Sequence, residues 1–572
     1  LRFEKFPYDI TDLTGRVIFN SATKHWRFIN LDGKHGNAQI KGNGDFQGSP
    51  LPGVLTLRIE AKAAELSADL YNALPQNQRS LWDLIRPRGF CDLTADIHWT
   101  TQPGQSPVIA FPESNPVRIY DTRIAPQPFP YDMHIQEAVL SFDPNDARAA
   151  GAQHCEIHSF RATHGTGTIR ATGWAEAKPH GEWQLHFNDL SAANLVPDDN
   201  LRAALPKSWR ETLGRLHEVG RLSVIDSEMD FRGSLDGKLN TTAGWKMNVG
   251  FDDCTLNAGL DVEHVFGTVS ARGAWDGYRL QNTGEIHIES AEVLEMPFSQ
   301  IRGPYSLTEQ ELVLGSRRIF EPGTDITTVG AEGRVRAQAY GGELLFDSHV
   351  DLREGGRYQF FAEVADARLE SYAALHIPDQ QNLKGVITAW LSLSGQGDDA
   401  GGLSGRGQLR ISPAALYEIP VVVKLLGSLS QLNLNVQDRT AFNYAILNFK
   451  VADEAFQFDT IDLVGQSISF RGRGTTGFNG AVRLDFYSRP ARSRTSALPF
   501  ISGLFTNWAK VEVTGTTENP QTKVSATGRI DEGLSQFLNS FTPNPTAPIP
   551  GLSIPRFFSP VLNAPPPRPA GI

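Results

Sequence analysis

The run HCEIH, His154 to His158, is the arrangement in this chain that most resembles a metal grip, and His164 follows close by. On a helix His154 and His158 would share one face. The neighbours CEIHSF read as strand, where residues four apart lie about 13 Å from each other. A Zn–N bond is about 2 Å, so one ion is out of reach of both, and the pair reads as polar strand residues. GRGTTG matches GxGxxG through Gly472, Gly474 and Gly477, but a dinucleotide site needs a helix N-terminus facing the pyrophosphate. The alternating segment FNGAVRLDFYS follows instead, so these glycines read as a hairpin turn. FDPNDA (Asp143, Asn145, Asp146) imitates a calcium loop without its glycine or distal glutamate, and reads as a turn. Cys91, Cys155 and Cys254 stand far apart and make neither a disulfide framework nor a CxxC pair. No nucleophile elbow and no acid pair stands out. The expectation is a protein that is not an enzyme, with no metal and no cofactor.

Composition narrows the partners. The 572 residues carry a net charge of -11, the wrong sign for nucleic acid, whose phosphates call for clustered Lys and Arg. No long basic block signals adhesion to an anionic lipid surface. With 53 glycines and 35 prolines, many short elements are punctuated, which favours β structure over long helices. The opening LRFEKFPYDITDL is neither a signal peptide nor a spanning segment. Beginning at Leu1, it reads as the start of a piece cut from a longer chain.

The elements that must position any site are strands. LTLRIEA sets Leu55, Leu57 and Ile59 against Thr56, Arg58 and Glu60. WQLHF does the same with Trp183, Leu185 and Phe187, and WKMNVGF with Trp245, Met247, Val249 and Phe251. EIHIE contributes Ile286 and Ile288, VRLDF contributes Val482, Leu484 and Phe486. Period two with one polar side is the mark of half-buried strands. Asp32-Gly33, Asp236-Gly237 and Gly341-Gly342 are read as turns between them. Helical pattern is confined to insertions near 66–87 and 199–219, which share ALP and a Trp-bearing amphipathic turn, and a shorter one near 369–377. Similar insertions between strand blocks imply a loosely spaced internal repeat. The expected fold is mainly β: an elongated, twisted, repetitive antiparallel sheet forming a curved open groove, with a few short amphipathic helices. Residues 1–395 make the repetitive groove, 396–530 a C-terminal region, and 531–572 a short helix and a Pro-rich, disordered tail.

Three apolar segments interrupt this pattern. In IPVVVKLLGSL, Ile419, Val422, Val423 and Leu426 follow helical spacing, giving a helix near 419–429. LPFISGLFTNW repeats the theme near 499–508 with Phe500, Ile501, Leu504 and Phe505. DEGLSQFLNSF adds a third behind Asp531 and Glu532, charges that suit a helix start.

Residues 405–488, from GRGQLRISPAALYEIPVVVKLLGSL through DRTAF to FDTIDLVGQSISFRGRG, resemble the C-terminal region of AsmA-like proteins. LPFISGLFTNWAKVEVTGTTENPQTKVSATG (498–528) continues the likeness, which covers about a fifth of the chain. Before residue 400 the match is one of style, and the family's N-terminal membrane anchor is missing. The resemblance implies a periplasmic cell-envelope protein of a double-membrane bacterium, attached to the inner membrane by a segment outside this chain. It also implies a part in outer-membrane biogenesis as a bridge-like conduit, with phospholipid or another acyl lipid as cargo and membrane proteins as partners. The family offers no catalytic residue to carry over. The second reading is a non-transporting periplasmic scaffold, and the remote third a polysaccharide-active β-helix enzyme. On the conduit reading the listed strand residues line the groove, and the helix at 417–429 closes or gates it near its C-terminal end.

Overall fold

A computed structural model describes residues 7–541, apart from 75, 106, 128, 143–152, 179–180, 217–218, 258–260, 354–355, 378–381, 397–399, 431–441, 466–467, 491–508 and 527–531. The chain is mainly β, and every described strand pairing is antiparallel. Short helices are the exception. That pairing is not the parallel coil of a β-helix. The calcium-like turn at 143–146, the apolar segment at 499–508 with Phe500, Ile501, Leu504 and Phe505, and the Pro-rich tail lie outside the described residues.

Two compact units divide the chain, Leu1–Met296 with Ser306–Gln310, and Pro297–Tyr305 with Glu311–Ile572. The boundary therefore falls near 300, a hundred residues before the expected one at 395.

The first unit is a meander from Thr11–Asn20 to Leu280–Val293 in which nearly every strand pairs with the next in sequence. Helices Ala68–Ala73 and Gln76–Ile85 follow the strand Val54–Glu65, and helices Asp199–Ala204 and Lys207–Leu216 follow Glu182–Leu195. In a meander, alternate connections fall at opposite ends of the strands, and both helical insertions leave from the same end. That end also collects residues held at positive φ, among them Ala63, Asp121, Asn194 and Asp253, at or beside register shifts. Such β-bulges bend a strand and increase its twist. Asp198 caps the second insertion, accepting from the Leu201 backbone N–H at 2.7 Å.

The second unit repeats the plan. Eleven strands run in sequence order from Val335–Ala339 to Pro520–Ala526. Helices Leu369–His376, Pro420–Ser430 and Glu532–Asn539 all leave from one end of its strands.

Two expected turns prove to be strand. Asp32-Gly33 lies inside His25–His35, and the chain reverses after it at Gly36. A Cβ on Gly33 would stand 2.5 Å from the Ile10 side chain, so its role is close approach. Gly472 and Gly474 lie inside Ile468–Gly477, and only Gly477 borders the turn. Gly472 instead makes room for the Phe486 ring opposite, 2.5 Å from where its Cβ would stand.

Candidate functional site

The pairing registers convert single-strand alternation into continuous apolar rows. Residues directly opposed in adjacent strands share a face of the sheet. In the first unit one row runs Phe142, Cys155, Ala175, Leu185, Phe231, Ala243, Trp275, Leu280, one residue from each of eight consecutive strands. At about 4.8 Å per strand the row is about 34 Å long. Beside it, on the same face, runs Val117, Leu140, Ile157, Gly173, Phe187, Met229, Trp245, Gly273. Nearer the bulged rim, Val224, Val249, Val269 and Ile286 form a third row, and Phe251 and Ile288 face each other across Gly267. Among the first five strands, Phe19, Trp26, Phe46, Leu55 and Trp99 make one row, and Val17, Phe28, Gly44, Leu57 and Ile97 the next. Ile59 opposes Gly42 and Ala95.

The opposite face is polar and tied by cross-strand ion pairs. Arg58 bridges to Asp96 at 2.7 Å, and Glu137 lies between Arg118 and Arg161. Such exposed pairs add little stability; they mark this face as the polar one.

Glycines and aromatics alternate along the rows for a steric reason. A Cβ on Gly273 would collide with the Trp245 ring, one on Gly407 would stand 2.6 Å from Phe449, and one on Gly233 2.8 Å from Trp183. The rings lie down over their glycine neighbours instead of standing up from the sheet, and the floor stays shallow.

Burial separates the expected lining residues into two groups. Leu55, Leu57, Ile59, Leu185, Phe187, Met247, Val249, Phe251 and Ile286 are half-buried, while Trp183, Trp245 and Ile288 are buried. Val482, Leu484 and Phe486 also sit on apolar rows, in the second unit: Leu409, Leu447, Ile461, Gly472, Phe486, Val511 and Val524 oppose one another in turn. There the floor is covered. Val482 and Leu484 are 5% exposed and Phe486 2%, in one cluster with Val422 and Leu425 of the helix Pro420–Ser430. These three are core residues under a lid supplied by the chain itself.

That helix turns its apolar stripe inward except at Val423. Val422 and Leu425 are buried, Ile419 and Leu426 pack partly against them, and Val423 is 47% exposed. Val423 lies about 100° around the helix from Val422 and falls outside the stripe that Val422, Leu425 and Leu426 define.

Sequence reasoning passed over Phe46, Trp99, Phe142, Met229, Phe231 and Trp275. Met229 and Phe231 carry a readable signal, since they alternate with Glu228, Asp230 and Arg232 in SEMDFRG. Trp275 stands in ARGAW as the one large apolar residue, and only its register reveals the row. The polar candidates dissolve into local pairs. His154 bonds Glu156 at 2.8 Å, His158 bonds Ser141 at 2.8 Å, and His164 bonds Asp198 at 3.1 Å. Among the described residues no three His, Cys, Asp or Glu side chains gather as a metal cluster. All three cysteines are buried and free, and burial pushes the Cys91 and Cys155 thiols up to about 12. Among the described residues no helix is long and apolar enough to cross a membrane. No family model, curated protein or solved structure matches the chain.

Proposed function

We propose that this protein is an envelope conduit that moves acyl lipids along the apolar rows of its sheet, with their headgroups in water. The carrying observation is the pair of adjacent rows through half-buried Leu185, Phe231 and Trp275 and through half-buried Phe187 and Met229, opposed strand by strand, on a sheet whose other face is charged. Exposing a 16-carbon chain to water costs about 13 kcal/mol at about 0.8 kcal/mol per CH₂. A continuous apolar floor offsets that cost at every position along it. A floor without a deep specific pocket lets the cargo slide, because no site holds it much more tightly than the next. The resemblance of residues 405–528 to AsmA-like proteins points to the same activity and to a place between inner and outer membranes. The covered floor at Val482, Leu484 and Phe486 acts in this reading as a stop, where the row of the second unit ends beneath the helix Pro420–Ser430.

That same covered floor favours a second reading, a scaffold whose rows are ordinary core. Leu185→Asp separates the two. Placing a carboxylate on the half-buried row should abolish lipid transfer between donor and acceptor vesicles by the purified chain, with the melting temperature within a few degrees of the parent. Collapse of the fold would make Leu185 ordinary core and favour the scaffold.

A further inference from the structure

The helix Lys207–Leu216 stands on the rows of the first unit. Trp209, in the first turn of Lys207–Leu216, packs over Trp245 with ring centroids 4.7 Å apart and over Trp275 at 6.5 Å, both edge-on. Met229, Phe231 and Met247 complete its surroundings. An indole therefore occupies the lane where the conduit reading places an acyl chain. Its fit is imperfect in one respect. The Trp245 N–H donates to Asn282 at 3.0 Å, whereas the indole N–H groups of Trp209 and Trp275 are buried without a hydrogen-bond partner among the described residues. A buried donor left unpaired is costly, and two lie together in an otherwise apolar lane.

Resting on the conduit reading, we propose that Trp209 and Trp275 form a gated station for acyl-ester carbonyls. The Trp209 ring stands in for the cargo when the lane is empty, and its N–H and that of Trp275 are paired only when an ester-bearing lipid takes the ring's place. The chemistry selects that ligand. A neutral ester carbonyl accepts an N–H without carrying charge into the lane, while a phosphate would have to shed its hydration. Plain hydrocarbon exchanges one apolar contact for another, and a ligand shifts a two-state equilibrium only by its differential affinity for the two states. Ester lipids open the station; alkanes do not.

The test uses the purified full chain and two probes, dioleoyl phosphatidylcholine and its dialkyl-ether analogue, which share chain length and headgroup but differ in the carbonyls. The diester should bind about fivefold more tightly, the factor expected of one net neutral hydrogen bond. Trp209→Phe and Trp275→Phe each keep a ring and drop one N–H, and each should lower the diester-to-diether ratio toward one. Using both variants guards against one failing to fold, which circular dichroism would show. Equal binding of diester and diether by the parent chain overturns the station and leaves the conduit standing. A preference that survives both substitutions overturns the assignment to these residues. Binding of neither lipid overturns the conduit itself, and the station with it.

Discussion

Arg334 holds one positive charge between two carboxylates with no exposure on any of the three side chains. Its Nε donates to Asp347 and its Nη1 to Glu363, both at 2.6 Å, and its guanidinium lies 5.4 Å from the centre of the Phe361 ring. Asp347 also accepts the Ser316 backbone N–H at 2.7 Å, tying the 3₁₀ turn Arg317–Phe320 to the sheet. One cation cannot neutralise two buried anions, and desolvation pushes the Asp347 carboxyl up to about 6 from 3.8. The folded state then holds a proton that the unfolded state has released. Stability from this group is complete below about pH 4 and is lost as pH rises through about 6. Thermal melting between pH 4 and 7 should show that decline in the parent chain, and Asp347→Asn should reduce it, leaving the share of Asp462, which burial also pushes up to about 6. The glycines under aromatic rings make a second, steric prediction. Gly472→Ala drives a methyl into the Phe486 ring and should destabilise the chain by about 1–3 kcal/mol in urea titrations. Gly244→Ala meets nothing within 4 Å and should be neutral or slightly stabilising, because alanine loses less backbone entropy in a strand.

Strands and helices differ in how plainly the sequence announces them. Leu55, Leu57 and Ile59 alternate without interruption, and their facing is readable from seven residues. The three helical insertions are readable too, since runs with apolar residues at helical spacing stand out among alternating strands. Bulges hide the rest. In Glu182–Leu195 the register shifts between Phe187 and Leu190 and again before Ala192, so the apolar phase slips and rows cannot be traced from alternation alone. Gly472 and Gly474 misled because a glycine that makes a turn and one that makes room for a ring look identical in sequence. Nor does a helix's stripe declare which part of the sheet it covers, and the lid over Phe486 emerges only from packing. Its central contact is Leu425, fully buried. Leu425→Ala should therefore cost about 2–5 kcal/mol, while Val423→Asp on the exposed side should stay within about 0.5 kcal/mol. Equal losses at the two positions, measured by urea unfolding, would mean that the helix is not docked through the face described.

In the first unit a one-sided sheet carries bulges gathered toward one rim and helices entering from that rim; in the second the helices also share one rim, but the sheet is buried on both faces around Leu344 and Leu345. The helices serve it differently. Pro420–Ser430 is embedded in a core whose floor residues, Val511 and Val513 among them, have no exposure. In Lys207–Leu216 it is Trp209 that packs on the rows, and its indole N–H is buried without a hydrogen-bond partner among the described residues. What occupies the uncovered rows in the cell can be read by placing a photo-crosslinking amino acid at Leu57, Leu185, Met247 and Leu484 in turn and analysing the adducts by mass spectrometry. A lipid-lined floor predicts phospholipid adducts at the first three positions and none at Leu484, which lies beneath its helix. Adducts confined to protein at all four would contradict it.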